Sequence, residues 1–600
     1  MPAMQAAVGA HRAGRLPEAI QFYRQALKAA PRAPEIHYNL GVALKNTGQA
    51  RAAEKALTEA VRLRPAYALA HSMLADLCHQ SGRGAKALRH RLDAYRADPN
   101  AGAIVSGLVT QLGQIRFSEA DPRLLDIVTA LLLRDDVEGQ RLAGVSLSLL
   151  AHNPKIASAL ENYAPDDLPL DKPPALLLAV LERTIVADPA WERLLTQLRS
   201  DLLTTFDAIS DGRAPLVRAL AAQMLATDYA YLVTAKDAAA VKALRREGDS
   251  LTADHVRLAL FDPLKEIGQA LSAPSDWSGF VDTHMSRPLS EQATAETIER
   301  LTPISDSTSL AVQDQYTALP YPRWLTTRGT TARPRSDILQ QIAPQLPVDA
   351  APKDPAPLKI LVAGCGTGKH AVDVATRFAN ADVLAIDLSL PSLGYAKAQA
   401  ARMGQSEIRF GQADILTLGR IDERFAHIEA MGVLHHLAEP LAGWQVLRGL
   451  LAPGGTMRIG LYSRRGRGAI RAAQSIAAVY PHDSDGLREL RQAILALPED
   501  HPAAPVRNEL DFYTLNGVRD ALAHAQEHDY TVREIADLLD QLDLQFLGFE
   551  FALPAPLQLF HESFGPDHRQ DDLTAWDRLE QEHPELFHHM YQFWCKPANG

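Results

Sequence analysis

Three glycines at alternate positions, Gly364, Gly366 and Gly368, interrupt the chain directly after the apolar run Leu358-Lys359-Ile360-Leu361-Val362-Ala363. An apolar run that breaks into such a turn and then into a helix-like pattern reads as buried strand, tight turn and helix start. Glycine admits positive φ and has no Cβ, so a ligand can approach the backbone there. Nineteen residues beyond Gly368 the next apolar run ends in Asp387, a carboxylate able to accept hydrogen bonds from both hydroxyls of a ribose. These residues together indicate a cofactor that contains a nucleoside. The spacing is G-x-G-x-G, with Lys369 where a dinucleotide fold needs its third glycine. No G-x-x-x-x-G-K-[ST] occurs in the loop. NAD and a nucleoside triphosphate are therefore both disfavoured.

Phe410-Gly411-Gln412-Ala413-Asp414 reads as a third strand ending in an acid, and Ile428 to Leu437 as a fourth strand running into a loop that holds His435 and His436. Leu450 to Gly455 reads as the turn before a fifth strand, Thr456 to Leu461. In this order and spacing the set resembles the class I S-adenosylmethionine-dependent methyltransferases. The run Val433-Leu434-His435-His436-Leu437 is most like the small-molecule branch typified by quinone-biosynthesis enzymes. The resemblance is close over residues 355–465 and looser beyond. It implies a Rossmann-like domain of seven strands, closed by an antiparallel pair read at 544–551 and 590–595, with S-adenosyl-L-methionine as cofactor. It places the loop Gly364-Cys365-Gly366-Thr367-Gly368 against the methionine part and ribose. It places Asp387 on the ribose, Leu388 beside the adenine, Asp414 on the adenine amino group, Ala413 or Ile415 on the ring, and Gly432 and Val433 under the methionyl end. His435 or His436, neutral near pH 7, is positioned to take a proton from an acceptor. The alternative is that one is packed under the loop and the other solvated.

Further motifs carry weaker chemistry. His524-Ala525-Gln526-Glu527-His528 has the H-x-x-E-H zinc spacing. The helix pattern ends at Asp529-Tyr530 and no third ligand is evident, so packing or substrate contact is expected and no metal. Arg464, Arg465, Arg467 and Arg471 form a basic run that either draws an anionic acceptor or is a solvated loop. Gln313 to Trp324, with two prolines and three aromatics, reads either as a lid over the cofactor or as a linker pinned by its aromatics. In the lid reading Tyr316, Tyr321 or Trp324 walls the pocket and Arg323 meets a carboxylate. Thr531-Val532-Arg533-Glu534 has the form of a capping box, so a helix is expected to start there.

The elements that must carry these residues divide the chain. Gly14, Gly48 and Gly82 are 34 residues apart, as are Ala19, Ala53 and Ala87, Ala26, Ala60 and Ala94, and Pro31, Pro65 and Pro99. This period resembles three tetratricopeptide repeats over 1–100, which implies helix pairs and a groove for a protein or peptide partner. A purely structural cap is the alternative. Residues 101–300 are helical in pattern, 301–357 form the lid and linker, and 358–600 the methyltransferase domain, with a helical insertion at about 463–540. The whole is an α-solenoid followed by an α/β domain. The net charge of −11 disfavours nucleic acid or an anionic membrane as partner. No apolar run reaches the length of a membrane span or signal core. Cys78, Cys365 and Cys595 make neither a disulfide framework nor a metal knuckle, which fits a cytoplasmic protein. The expected function is methyl transfer to an acceptor, protein or small molecule, that the sequence does not identify. A scaffold that binds the cofactor without turnover is the alternative.

Overall fold

The computed structural model describes residues 2–119, 121–163, 172–318, 320, 323, 324, 326, 327, 331–346 and 355–598. Its contacts divide the chain into two compact units, Met1–Asn153 and Pro154–Gly600, so the helical stretch 101–300 is shared between them.

The first unit opens with three helix pairs: α1 (Pro2–Arg12) and α2 (Leu16–Ala29), α3 (Pro34–Asn46) and α4 (Ala50–Leu63), α5 (Ala68–Gln80) and α6 (Gly84–Ala97). The periodic glycines sit between the members of each pair. Gly14, Gly48 and Gly82 have φ of 71°, 75° and 72°, the left-handed conformation that ends a helix without a Cβ penalty. The periodic alanines are fully buried: Ala19, Ala53 and Ala87 lie where paired helices approach. Gly41 is closer still, since a Cβ there would stand 2.6 Å from Leu57 Cγ. Helices Gly102–Leu112, Pro122–Leu132 and Ala143–Leu150 complete this unit.

The second unit is built on one sheet of eight strands in the order β1-β4-β3-β2-β5-β6-β8-β7. These are β1 (Glu299–Arg300), β2 (Leu358–Ala363), β3 (Ala381–Asp387), β4 (Arg409–Gln412), β5 (Phe425–Met431), β6 (Leu451–Tyr462), β7 (Leu544–Phe549) and β8 (Met590–Pro597). Strands β1 to β6 are parallel where they pair, and β8 runs antiparallel between β6 and β7. The closing antiparallel pair matches expectation. The count of seven does not: two residues preceding the lid, Glu299 and Arg300, lie beside Gly411 and Gln412 and add an eighth strand. β2 is buried along its length except at Lys359, as befits a central strand covered on both faces.

The helical region from Pro154 is tied to the insertion through Glu192 and Ala230, and its last helix, Arg287–Glu296, packs on helix Leu390–Arg402. Arg491 of helix Ser484–Leu495 makes two bonds to Glu192 of helix Pro189–Thr205, at 3.0 and 2.7 Å, and both side chains are buried. Two further N–H groups donate to the carbonyls of Phe512 (2.7 Å) and Ala230 (2.8 Å). This satisfies the donors that make a buried guanidinium costly. Thr531 and Glu534 form the expected reciprocal cap at the start of helix Val532–Gln541.

Candidate functional site

β2 delivers the chain into the glycine loop at the carboxyl end of the sheet, where ligands of open α/β folds bind. Gly364, Gly366 and Gly368 have φ of 71°, 51° and 85°. A Cβ on Gly364 would stand 2.4 Å from Val433 Cγ2, and one on Gly368 2.5 Å from Ala396 Cβ. The first glycine therefore lets β2 and the β5 loop approach each other. The third lets the helix Lys369–Arg377 start against its neighbour. The N–H groups of Gly364 and Cys365 both donate to the Ile386 carbonyl at 2.9 Å, which ties the loop to the tip of β3.

That tip presents Asp387. Its Oδ2 accepts from the Gly366 N–H (2.8 Å) and its Oδ1 from the Ser389 N–H (2.9 Å). Burial raises the Asp387 pKa, and the backbone N–H groups of Ser389 and Gly366 work against that rise. Asp414, after β4, is 1% exposed. Its Oδ1 accepts from the Leu416 N–H at 2.9 Å, while its Oδ2 is buried with no hydrogen-bond partner. A buried carboxylate oxygen without a donor is costly, so this atom marks where a ligand must bring an N–H.

A cavity of about 520 Å³ joins these parts. Of the residues singled out from sequence, Gly364, Cys365, Gly366, Asp387, Leu388, Ala413, Asp414, Ile415, Gly432, Val433 and His436 line it. Thr367, Gly368 and His435 do not. Thr367 is buried and its carbonyl accepts from Trp324 Nε1 at 2.8 Å, so Trp324 braces the loop from behind instead of walling the pocket. His435 is fully buried, with both ring nitrogens unpartnered and its ring stacked on Tyr462 at 3.7 Å. Burial, helped by His436 and Arg467, pushes its pKa far down, so it is a neutral packing ring. His436 does reach the cavity. Its Nδ1–H donates to the Gln526 carbonyl at 2.8 Å, which leaves Nε2 as the bare nitrogen. Burial holds this ring neutral as well.

The far wall of the cavity comes from residues that sequence reasoning missed, among them Tyr462, Phe512 and Asp520, and from Arg467 of the basic run. Helix Ser307–Ala318 covers it, contributing Ser309, Val312 and Tyr316. The cover is fastened on both sides. Gln313 Nε2 donates to the Leu388 carbonyl (3.0 Å) and Ser389 Oγ to the Tyr316 carbonyl (3.0 Å). Tyr316 Oη donates to Asp520 Oδ1 (2.5 Å), and the Ala525 N–H to Gln315 Oε1 (3.2 Å). Tyr321 lies outside the described residues. Arg323 does not meet the pocket: it lies 3.3 Å from Asp228 and over the Tyr395 ring.

Residues 524–528 are not helical, so the zinc spacing has no helix face to work on. Glu527 instead receives two bonds from Arg467, at 2.9 and 2.8 Å. His524 comes near His436 and Asp520, but the two imidazoles stack at 3.7 Å and 22°. A metal lies in the plane of each imidazole it binds at roughly 2.0–2.1 Å, and stacked rings do not share such a point. The basic run is neutralised: Arg464 and Arg471 pair with Asp529, Arg465 with Asp577 and Glu580, and Arg467 with Glu527. The three cysteines are free and buried. Among the described residues no helix is long and apolar enough to cross a membrane.

This fold and glycine loop define a nucleoside-cofactor domain of the methyltransferase class. Comparison with known families agrees: residues 360–455 match a methyltransferase domain, residues 11–48 a TPR repeat and residues 34–67 a tetratricopeptide repeat. The chain carries a methyltransferase domain joined to tetratricopeptide repeats. An uncharacterized protein of Synechococcus is 31% identical over 245 residues, 38% of this chain and 58% of that protein. A ubiquinone biosynthesis O-methyltransferase of Cereibacter sphaeroides is 34% identical over 121 residues, 20% of this chain and 48% of that protein. The chain thus spans about half the length of these relatives. PKMT2 of Rickettsia typhi, solved in complex with AdoHcy, aligns at 16% identity and a TM-score of 0.32, covering 41% of this chain and 50% of that one.

The residues present fit S-adenosylmethionine. The unpartnered Asp414 Oδ2 suits an adenine amino group, Asp387 has lone pairs left for ribose hydroxyls, and Gly364 and Gly366 line the cavity.

Proposed function

We propose that this chain transfers a methyl group from S-adenosylmethionine to an acceptor held beneath helix Ser307–Ala318, and that its repeats recruit a protein partner. Bound S-adenosylmethionine supplies an electrophilic methyl on a sulfonium. In this reading Asp387 holds the ribose, Leu388, Ala413 and Ile415 flank the adenine, and Asp414 accepts a hydrogen bond from its amino group. Cys365 and the glycines border the methionyl part with Gly432 and Val433, while Thr367 and Gly368 shape the loop from outside the cavity. His436 Nε2 accepts the proton of an acceptor O–H or N–H, a contribution of roughly 10²–10⁴-fold. Alignment in the closed cavity supplies the larger share, up to roughly 7–11 kcal/mol. His435 supports the loop by packing. The observation that carries the reading is the buried, unpartnered Oδ2 of Asp414, a residue that lines the same cavity as the glycine loop.

The test is transfer of radiolabelled methyl groups into host-cell extract, fractionated by size, with Asp387→Ala as control. Label in a discrete protein band or in the small-molecule fraction, absent with the variant, is expected and identifies the acceptor class. Cofactor binding without label above the variant would overturn catalysis and leave a binding scaffold.

A further inference from the structure

The third repeat contains a cluster that the others lack. His71 lies on α5, and His90 and Asp93 lie one turn apart on α6. His71 Nε2 is 2.9 Å from the Pro65 carbonyl, an acceptor only, so this nitrogen carries the proton and Nδ1 is bare. That Nδ1 stands 3.1 Å from His90 Nδ1. The Asp93 carboxylate closes the group, with one ligand atom from each residue within 4.8 Å of the others. The second repeat provides an internal contrast. His37, 34 residues before His71, makes the same 2.9 Å bond to the Pro31 carbonyl, and Glu59 stands in the place of Asp93. The place of His90 is held by Ala56. The backbone-anchored histidine and the acid are thus shared by the second and third repeats, and His90 is the addition.

We infer that His71, His90 and Asp93 bind one divalent transition-metal ion, zinc by preference, across the third helix pair. Two imidazoles and a carboxylate are a donor set that zinc accepts, with a fourth position left to water or to a partner's side chain. Two nitrogens 3.1 Å apart, each at roughly 2.0–2.1 Å from zinc, subtend about 98°, close to a tetrahedral angle. The rings are inclined at 41° with centroids 5.4 Å apart, not stacked face to face like His436 and His524. The bond from His71 to the Pro65 carbonyl is the outer-shell contact that fixes a metal-binding tautomer. Arg96 lies 3.2 Å from Asp93 Oδ1 and competes for that oxygen only, since a carboxylate offers a second.

The test uses tag-free, full-length protein stripped with chelator and titrated with Zn²⁺ against a chromophoric competitor, and with Co²⁺ by visible absorption. One equivalent of Zn²⁺ is expected, with Co²⁺ bands in the d–d region. Both should be lost in His90→Ala, and the zinc Kd should rise at least tenfold in Asp93→Asn. The far-ultraviolet circular dichroism of both variants should be unchanged. Equal zinc uptake by wild type and His90→Ala, or no Co²⁺ bands at saturation, would overturn the site and leave a hydrogen bond between two histidines.

Discussion

Replacing Asp414 by Asn separates a ligand-reading carboxylate from a structural one, because the two roles predict opposite effects on the empty protein. Asn keeps an oxygen for the Leu416 N–H now bonded at 2.9 Å, and the Asp414 N–H to Thr302 Oγ1 is main-chain and untouched. What changes is the position of Oδ2, where an amide –NH₂ would meet the adenine amino group donor to donor. A hydrogen bond to a charged group contributes about 1.5–3 kcal/mol. At about 1.4 kcal/mol per tenfold, the Kd for S-adenosylmethionine should rise by about 10- to 150-fold. The empty protein loses nothing comparable, since the replaced oxygen has no partner and a buried anion is removed. Its urea midpoint should stay level or rise. Isothermal titration of cofactor and of S-adenosylhomocysteine, beside equilibrium unfolding without ligand, measures both. A Kd within about threefold of wild type would refute the adenine assignment. A loss of more than about 1 kcal/mol in the ligand-free protein would show that Oδ2 has a structural partner.

Three further outcomes are expected. Glu192→Gln leaves the buried Arg491 guanidinium without its carboxylate and should destabilise the second unit by about 3–5 kcal/mol in urea unfolding, whereas Glu192→Met with Arg491→Met should cost much less. Gly364→Ala forces a side chain into φ 71° and against Val433 Cγ2; it should weaken cofactor binding at a strain cost of about 1–3 kcal/mol, in part restored by Val433→Ala. His284 is buried with both ring nitrogens unpartnered, and burial lowers its pKa to about 3. Between that value and an unfolded value of about 6.5 the unfolded chain binds the extra proton, so this group's contribution is intact above about pH 6.5 and is lost as pH falls. Stability measured at stepped pH should show a slope in that window shallower by about 1.4 kcal/mol per pH unit in His284→Phe.

The half of the cavity proposed for the cofactor was legible in the sequence because its parts are local. A strand, a glycine turn and an acid at the next strand tip need only spacing to be recognised, and Asp387 lies 21 residues from the Gly366 N–H it accepts from. The repeats were legible for the same reason: each periodic glycine is required by a positive φ and each periodic alanine by a close helix contact. The Thr531 cap is local as well. The errors fall where a partner is remote. The run of four arginines read as free charge, but its carboxylates come from positions 58 to 115 residues further on. In the lid reading, one of two left open, Arg323 meets a ligand carboxylate, and the carboxylate it does meet, Asp228, is in the preceding helical region.

The acceptor side follows the same logic to a further consequence. Tyr316 and Asp520 are 204 residues apart and meet only because the cover helix and the insertion both close over the end of the sheet. The insertion is in turn held by Arg491 on Glu192, 299 residues away in the preceding helices. The helices from Pro154 to Glu296 therefore set the position of the proposed acceptor wall without lining it. A change at Glu192 should reach the acceptor, through Arg491, Phe512 and the insertion, before it reaches the cofactor. Kinetically this separates the two halves. In a variant that still folds, the KM for acceptor should move while the Kd for S-adenosylmethionine, fixed by the glycine loop and two strand-tip acids, stays near the wild-type value. A parallel loss of both would show that the insertion and the glycine loop move as one body, and that the division between a local cofactor half and a remote acceptor half does not describe this domain.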